Sequence, residues 1–344
     1  MTVDRLIAGI QARDTSALAR AISLVENARD GFEALLSALH GSVGRAFRIG
    51  VTGPPGGGKS TLAERLIQSY RQRGHSVAVV AVDPTSPFSG GALLGDRIRM
   101  ESAASDPNVF IRSMATRGAG GGLATSTREV CDVLDAYGFD RIIIETVGVG
   151  QSELAIAATA DSAVLVLVPE SGDGIQALKA GMMEIADLFV VNKADRPGAD
   201  KLRQEIEVML GLRRGNAYRH VTPHNTTTAR KGDEWRSKAM PADGGNIASH
   251  RPTSPNIALA WEPPVLLAIA SKGEGTEEVV DAVERHREYL ERSGELDRRR
   301  RARLERLTRE VVDRTLRQLV WENGLGEATL ESGLEGVVQG TRTP

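Results

Sequence analysis

The sequence predicts an α/β fold: a doubly wound, mostly parallel sheet with helical extensions at both ends. Three observations carry this. Seven short β-branched runs alternate with helical stretches: "FRIGVTG", "SVAVVAVD", "NVFIRSM", "RIIIETVG", "SAVLVLVPE", "LFVVNKAD" and "VLLAIAS". Most of these runs are almost wholly apolar, as strands covered on both faces are. A glycine-rich turn joins the first run to a helix. Ligands of such sheets sit beyond the C-terminal strand ends, where Gly53, Asp83, Glu145, Asn192 and Ala270 fall. The 344 residues divide into a helical extension (1–42), a nucleotide-binding domain (43–275) and a helical arm with a tail (276–344).

In the N-terminal extension Leu18, Ile22 and Val25 share one helix face, a packing face. The first strand leads into "GPPGGGKST", residues Gly53, Pro54, Pro55, Gly56, Gly57, Gly58, Lys59, Ser60 and Thr61. This is the G-x-x-x-x-G-K-[ST] phosphate loop, set between a strand and a helix as the motif requires. Glycines let backbone N–H groups turn inward around phosphate oxygens, and the helix adds its positive dipole end. Lys59 is expected at the β- and γ-phosphates and the Ser60 hydroxyl on Mg²⁺.

Asp83 ends the second strand, and Asp96 follows a Pro/Ser/Gly-rich loop suited to a switch. Cys131, the single cysteine, lies in an expected helix and can build neither a disulfide framework nor a zinc cluster. Glu145 ends "RIIIET", ahead of Gly148, Gly150 and Gln151. Asp83, Asp96 and Glu145 together form an acidic environment suited to Mg²⁺. Each alone could instead cap a helix or pair Arg97, Arg99 or Arg117. Gly148 is placed to donate its N–H to a γ-phosphate, and Gln151 is a candidate to position water. The following loop carries Asp173, Gln176, Lys179 and Glu184. Its residues alone suggest only a mobile turn entering an amphipathic helix.

"LFVVNKAD" ends in Asn192, Lys193, Ala194 and Asp195, the N-K-x-D pattern of GTPases. A carboxylate accepts from guanine N1–H and N2–H₂ together, whereas adenine leaves it unpaired. Asn192 is expected to bind the base or brace the loop, and the Lys193 stem to cover it. Beyond lies a polar stretch, Arg213–Ala258, too long for an ordinary connection. Its His220 and His224 have helical metal-ligand spacing, but Pro223 argues against a helix there. "VLLAIASKGEG" then offers the Ala270 backbone N–H to the base, with Ile-Ala-Ser in place of the usual Ser-Ala.

From Thr276 to Trp321 the chain is helical and charged. Acids flank Arg298–Arg301, so this run is expected to be a solvated face. Leu304, Leu307, Val311, Leu316 and Leu319 make a stripe suited to a second subunit or to this chain's own domain. The tail after Gly324 is Gly-rich and is expected to fray.

A net charge of −2 argues against a general polyanion binder, and 4% aromatics against a base-stacking surface. No apolar run reaches membrane-spanning length and no signal core opens the chain. The expectation is a cytoplasmic protein that binds neither nucleic acid nor membrane.

Together "GVTGPPGGGKSTL", "VDPTSPFSGGALLGDRIRM", "TRGAGGGLATSTREV", "IIIETVGVGQSE", "GDGIQALKAGMMEIADLFVVNKADRPGA" and "WEPPVL" resemble the MeaB/ArgK family of P-loop GTPases, across most of Arg5–Trp321. The resemblance implies a homodimeric GTPase that uses GTP, GDP and Mg²⁺. It implies a chaperone that gates cofactor loading into an adenosylcobalamin-dependent acyl-CoA mutase and protects it, typically methylmalonyl-CoA mutase. It also implies that Asp173–Glu184 is an extra switch, with Lys179 its foremost charged residue. A P-loop small-molecule kinase would leave N-K-x-D unexplained. A nickel metallochaperone GTPase should show His/Cys clusters. A non-enzymatic regulatory module is the third alternative.

Overall fold

A computed structural model describes residues 2–84, 105–116, 122–146, 159–169, 182–213, 260–321 and 325–343. The chain divides into two compact units, Met1–Arg203 with Glu262–Pro344, and Gln204–Trp261.

In the first unit three helices, α1 (Val3–Gln11), α2 (Thr15–Glu26) and α3 (Phe32–Leu39), precede the sheet. Asp14 caps α2, its carboxylate accepting from the Ser16 N–H at 2.8 Å. The strands are β1 (Phe47–Thr52), β2 (Val77–Pro84), β3 (Val109–Thr116), β4 (Arg141–Thr146), β5 (Ser162–Leu167), β6 (Leu188–Asn192) and β7 (Val265–Ala268). Helices α4 (Lys59–Gln72), α5 (Gly122–Tyr137), α6 (Met182–Ile185) and α7 (Ala199–Arg213) lie between strands in sequence. Helix α7 runs into the second unit as far as Arg213, and the polar stretch after it lies outside the described residues.

All seven expected strands form, in the order β3-β2-β4-β1-β5-β6-β7, and every pairing between them is parallel. The sheet is thus wholly parallel among the described residues, where a mostly parallel one was expected. Alternation along each strand feeds two cores. Ile49, Val51, Val79, Ile143, Val166 and Val190 meet Leu62, Leu66 and Ile67 of α4 and, from α8 (Thr276–Ser293), Val279 and Val283. On the other face Ala78, Val80, Ile142 and Ile144 meet α5 and the three N-terminal helices, including the buried Leu18, Ile22 and Val25.

The charged C-terminal stretch is not one helix. It breaks at Gly294, which caps α8 at φ +71°, and resumes as α9 (Glu295–Trp321). The Arg298–Arg301 run also departs from a solvated face. Arg298 is exposed, but Arg299 binds Asp187 through two nitrogens at 2.9 and 3.1 Å, and Arg300 reaches the buried Asp161 at 3.2 Å. Arg303 joins Arg300 on Asp161. Burial pushes the Asp161 carboxyl up, but Arg303 and Arg300 outweigh it and hold it below the usual carboxylate range. These acids precede β5 and β6, so α9 docks at the N-terminal end of the strands. The expected frayed tail is a helix, α10 (Leu325–Val338), in which Leu330, Leu334 and Val338 recur every four residues.

Candidate functional site

Strand β1 is central, between β4 and β5, and its C-terminal end opens the site. The chain leaves β1 at Gly53 (φ +138°), where a Cβ would come within 2.0 Å of the Val166 carbonyl oxygen. It enters α4 at Gly58 (φ +82°), where a Cβ would stand 2.3 Å from Asn192 Nδ2. No side chain fits at either position, so the loop keeps its backbone bare and close to its neighbours. Lys59 is buried at the start of α4, its Nζ donating to the Gly53 and Pro54 carbonyls at 2.9 Å each. Gly57 closes the turn through its N–H to Pro54 O at 3.2 Å. Ser60 and Thr61 follow in the first turn of α4, and Pro55 and Gly56 form the exposed crest.

Glu145 stands in register with Val51 of β1 and with Ala81 of β2. The Ser60 hydroxyl donates to Glu145 Oε1 at 2.6 Å. Beside them, the Thr52 and Thr146 hydroxyls lie 3.3 Å apart. A hydroxyl and a carboxylate oxygen paired at the N-terminus of a phosphate-loop helix fit a hard divalent cation such as Mg²⁺. Asp83 lies near the end of β2, its backbone paired with Ala115 of β3.

From β6, Asn192 is in register with Ala268 of β7. Its Nδ2 donates to Gly57 O at 2.8 Å, and its Oδ1 accepts from the Ala270 N–H at 3.1 Å. The expected bracing role therefore has a geometry. The Ala270 N–H, expected at the base, is given to Asn192, so Ala270 enters the site through that amide. Lys193 takes φ +56°, unusual for a side-chain-bearing residue, and its Nζ reaches Gly56 O at 2.8 Å. Asp195 is exposed beside Lys272, Oδ2 to Nζ 3.9 Å.

The structure thus brings Gly53–Thr61, Glu145, Asn192, Lys193, Asp195 and Ala270 to the C-terminal strand ends. Glu184 stands apart, exposed in α6 ahead of β6. Asp96, Gly148, Gln151, Asp173, Gln176 and Lys179 lie outside the described residues, as do His220 and His224. Two contributors carried no sequence signal. The Thr52–Thr146 pair is a contact between strands. Arg65, on α4, bonds the Ala270 and Ser271 carbonyls 205 and 206 residues away.

A family model described as "Methylmalonyl Co-A mutase-associated GTPase MeaB" matches residues 18–324. The chain belongs to the MeaB family. Among its relatives, a protein of Pyrococcus abyssi with a GTPase name is 45% identical over 310 residues, 90% of this chain and 84% of its own length. The Escherichia coli GTPase ArgK is 40% identical over 56% of this chain and 60% of its own. The mouse methylmalonic aciduria type A homolog, named as mitochondrial, is 42% identical over 56% of this chain and 50% of its own. A solved structure titled LAO/AO transport system kinase superposes with a TM-score of 0.65 at 26% identity, covering all of this chain and 94% of that one. This MeaB-family chain therefore carries the P-loop GTPase fold, and nucleotide binding is a family property.

Proposed function

We propose that this chain binds and hydrolyses GTP in the service of an adenosylcobalamin-dependent acyl-CoA mutase of the methylmalonyl-CoA mutase type, gating cofactor loading and protecting the mutase. The observation that carries the GTP reading is the double engagement of Asn192, which ties the phosphate loop at Gly57 to the base loop at Ala270. The mutase reading is supported by the description of the family and by the name of the mouse relative. The kinase title of the solved relative leaves the Asn192–Asp195 arrangement without a purpose.

In this reading Lys59 exchanges the Gly53 and Pro54 carbonyls for the β- and γ-phosphates, and the first-turn N–H groups of α4 face the same oxygens. Ser60 and Glu145, with Asp83 and Asp96, hold Mg²⁺, which when bound neutralises charge on those phosphates. Asp195 accepts from guanine N1–H and N2–H₂. Gln151 orients water toward the γ-phosphorus. The bond to the β–γ bridging oxygen breaks, releasing GDP and phosphate. Gly148 reports the γ-phosphate. The segment bearing Asp173, Gln176, Lys179 and Glu184 relays contact with the mutase. The protein works in the cytoplasm as a homodimer, and its turnover alone is slow, as when a positioning group arrives with the partner.

The test is single-turnover GTP hydrolysis with and without methylmalonyl-CoA mutase, together with capture of the mutase in GTP, GDP or no nucleotide. Acceleration and nucleotide-dependent capture are expected. Hydrolysis indifferent to the mutase, with no capture, removes the partner. No hydrolysis, or a Lys59→Ala protein as active as wild type, removes the GTPase mechanism.

A further inference from the structure

Asn192 holds one side of the base loop, through the N–H of Ala270. A different residue holds the other side. Arg65 lies on the second turn of α4, half-buried. Its Nε donates to Ala270 O at 3.0 Å and its Nη2 to Ser271 O at 3.0 Å. Its Nη1 is fixed by Gln68 Oε1, also at 3.0 Å. A Cβ added at Gly273 would touch the guanidinium at 3.8 Å, so the turn lies against it.

We infer that Arg65 is a positioning residue for guanine recognition: it clamps the loop 269–275 to the phosphate-binding helix and so sets where that loop meets the base. This rests on the GTP reading above. The loop is already a closed turn, with Ile269 N–H on Glu274 O, Lys272 N–H on Ile269 O, and the Thr276 hydroxyl on Gly273 O. Those bonds fix its shape but tie it only to itself. Ala270 packs in the same core as Leu62 and Leu66 of α4, and Arg65 adds the directed bonds that fix the loop's orientation on that helix. Two successive carbonyls on one planar guanidinium are a geometry that Arg supplies and the single ammonium of Lys does not. The clamp also sets direction. In a trans peptide the C=O and N–H point opposite ways. Holding Ala270 O therefore turns the Ser271 N–H away from α4, while Asn192 holds the Ala270 N–H. The result is a closed circuit: Gly57 to Asn192, Asn192 to Ala270, Ala270 to Arg65, and Arg65 back along α4 to Lys59 and Ser60. Phosphate loop and base loop then move as one body.

The experiment displaces fluorescent GDP from the full-length protein with GTP, GDP or ATP, for wild type, Arg65→Met and Arg65→Lys. Melting is followed without nucleotide. The clamp acts on the base and not on the γ-phosphate. Arg65→Met is therefore expected to weaken GTP and GDP by the same factor, about tenfold, the loss of roughly one good interaction. Its preference for GTP over ATP should shrink as well. Arg65→Lys, keeping the charge and one donor, should recover part of both losses. A structural role alone would lower the melting temperature and leave the GTP-to-ATP ratio at its wild-type value. An unchanged ratio in Arg65→Met, whatever its melting point, overturns the inference. A wild-type protein that binds no guanine nucleotide would instead remove the GTP reading and the clamp with it.

Discussion

Gly58 is one of two positions in the phosphate loop that cannot take a side chain without displacing a neighbour. Its left-handed backbone costs an L-residue about 1–2 kcal/mol, and the Cβ would collide with the amide that braces the loop. Gly58→Ala is therefore expected to push Asn192 off Gly57 O and to lower GDP affinity by at least about tenfold in a fluorescence titration. Wild-type affinity would show that the Asn192 brace is dispensable. Asp195→Asn tests the exposed end of the same motif. The amide presents a donor where the carboxylate had only acceptors, so preference should move from GTP toward XTP in competition assays. An unmoved preference would take base reading away from Asp195. These residues were legible because the phosphate loop and N-K-x-D are local patterns, each read within one turn. Arg65 and the direction of the Ala270 N–H were not, because both depend on a partner more than 75 residues away in sequence.

At the scale of elements, every strand was readable from its sequence run, and the inner strands, buried on both faces, need no register to betray them. The docking of α9 was not. Arg299, Arg300 and Arg303 look solvated beside Glu295 and Asp297, yet their partners Asp187 and Asp161 belong to strand ends far upstream. Asp161 also accepts from the Arg48 N–H at 3.0 Å. Removing it leaves Arg300 and Arg303 without their carboxylate, so Asp161→Ala should destabilise by roughly 3–5 kcal/mol in urea titration. A loss under about 1 kcal/mol would mean these pairs behave as surface pairs. His286 of α8 sits in the same region, fully buried, with Nδ1 2.9 Å from the Ser162 hydroxyl and Nε2 3.4 Å from Asp187. Burial lowers its pKa from 6.5 to about 4, against the pull of Asp187. The unfolded chain therefore binds a proton that the fold refuses between these values. Stability from the neutral ring is complete above pH 6.5 and falls as pH drops toward 4. His286→Asn, which keeps a group for Ser162, should flatten that part of the profile of melting temperature against pH. A profile as steep as wild type would assign the acid loss to other groups.

At the scale of the whole molecule, the large apolar side chains left exposed among the described residues lie, apart from Val208, on the C-terminal helices. Arg314 ends the docked part of α9, reaching Glu129 at 2.8 Å and stacking over Phe32 at 4.9 Å. Beyond it Leu316, Leu319, Val320 and Trp321 are 45–55% exposed, and on α10 Leu330 and Leu334 are both 50% exposed and Val338 77%. Single exposed leucines need no explanation, but a cluster recurring at helical spacing along two consecutive helices does. The stripe read from the sequence divides here. Leu307 and Val311 are half-buried, whereas Leu304, Leu316 and Leu319 stay exposed. The same sequence period served both, since periodicity reports a face and not what covers it. In the proposed homodimer the second copy covers it, each chain burying the same patch on its partner. Light scattering on wild type should then give twice the 36.8 kDa chain mass. Leu316→Glu with Leu319→Glu places two carboxylates where the partner would desolvate them, and should give the single-chain mass. GDP binding should persist in that variant, because the phosphate loop lies at the other end of the strands from the docked part of α9. A wild-type monomer, or a double variant still at dimer mass, would put the subunit contact elsewhere.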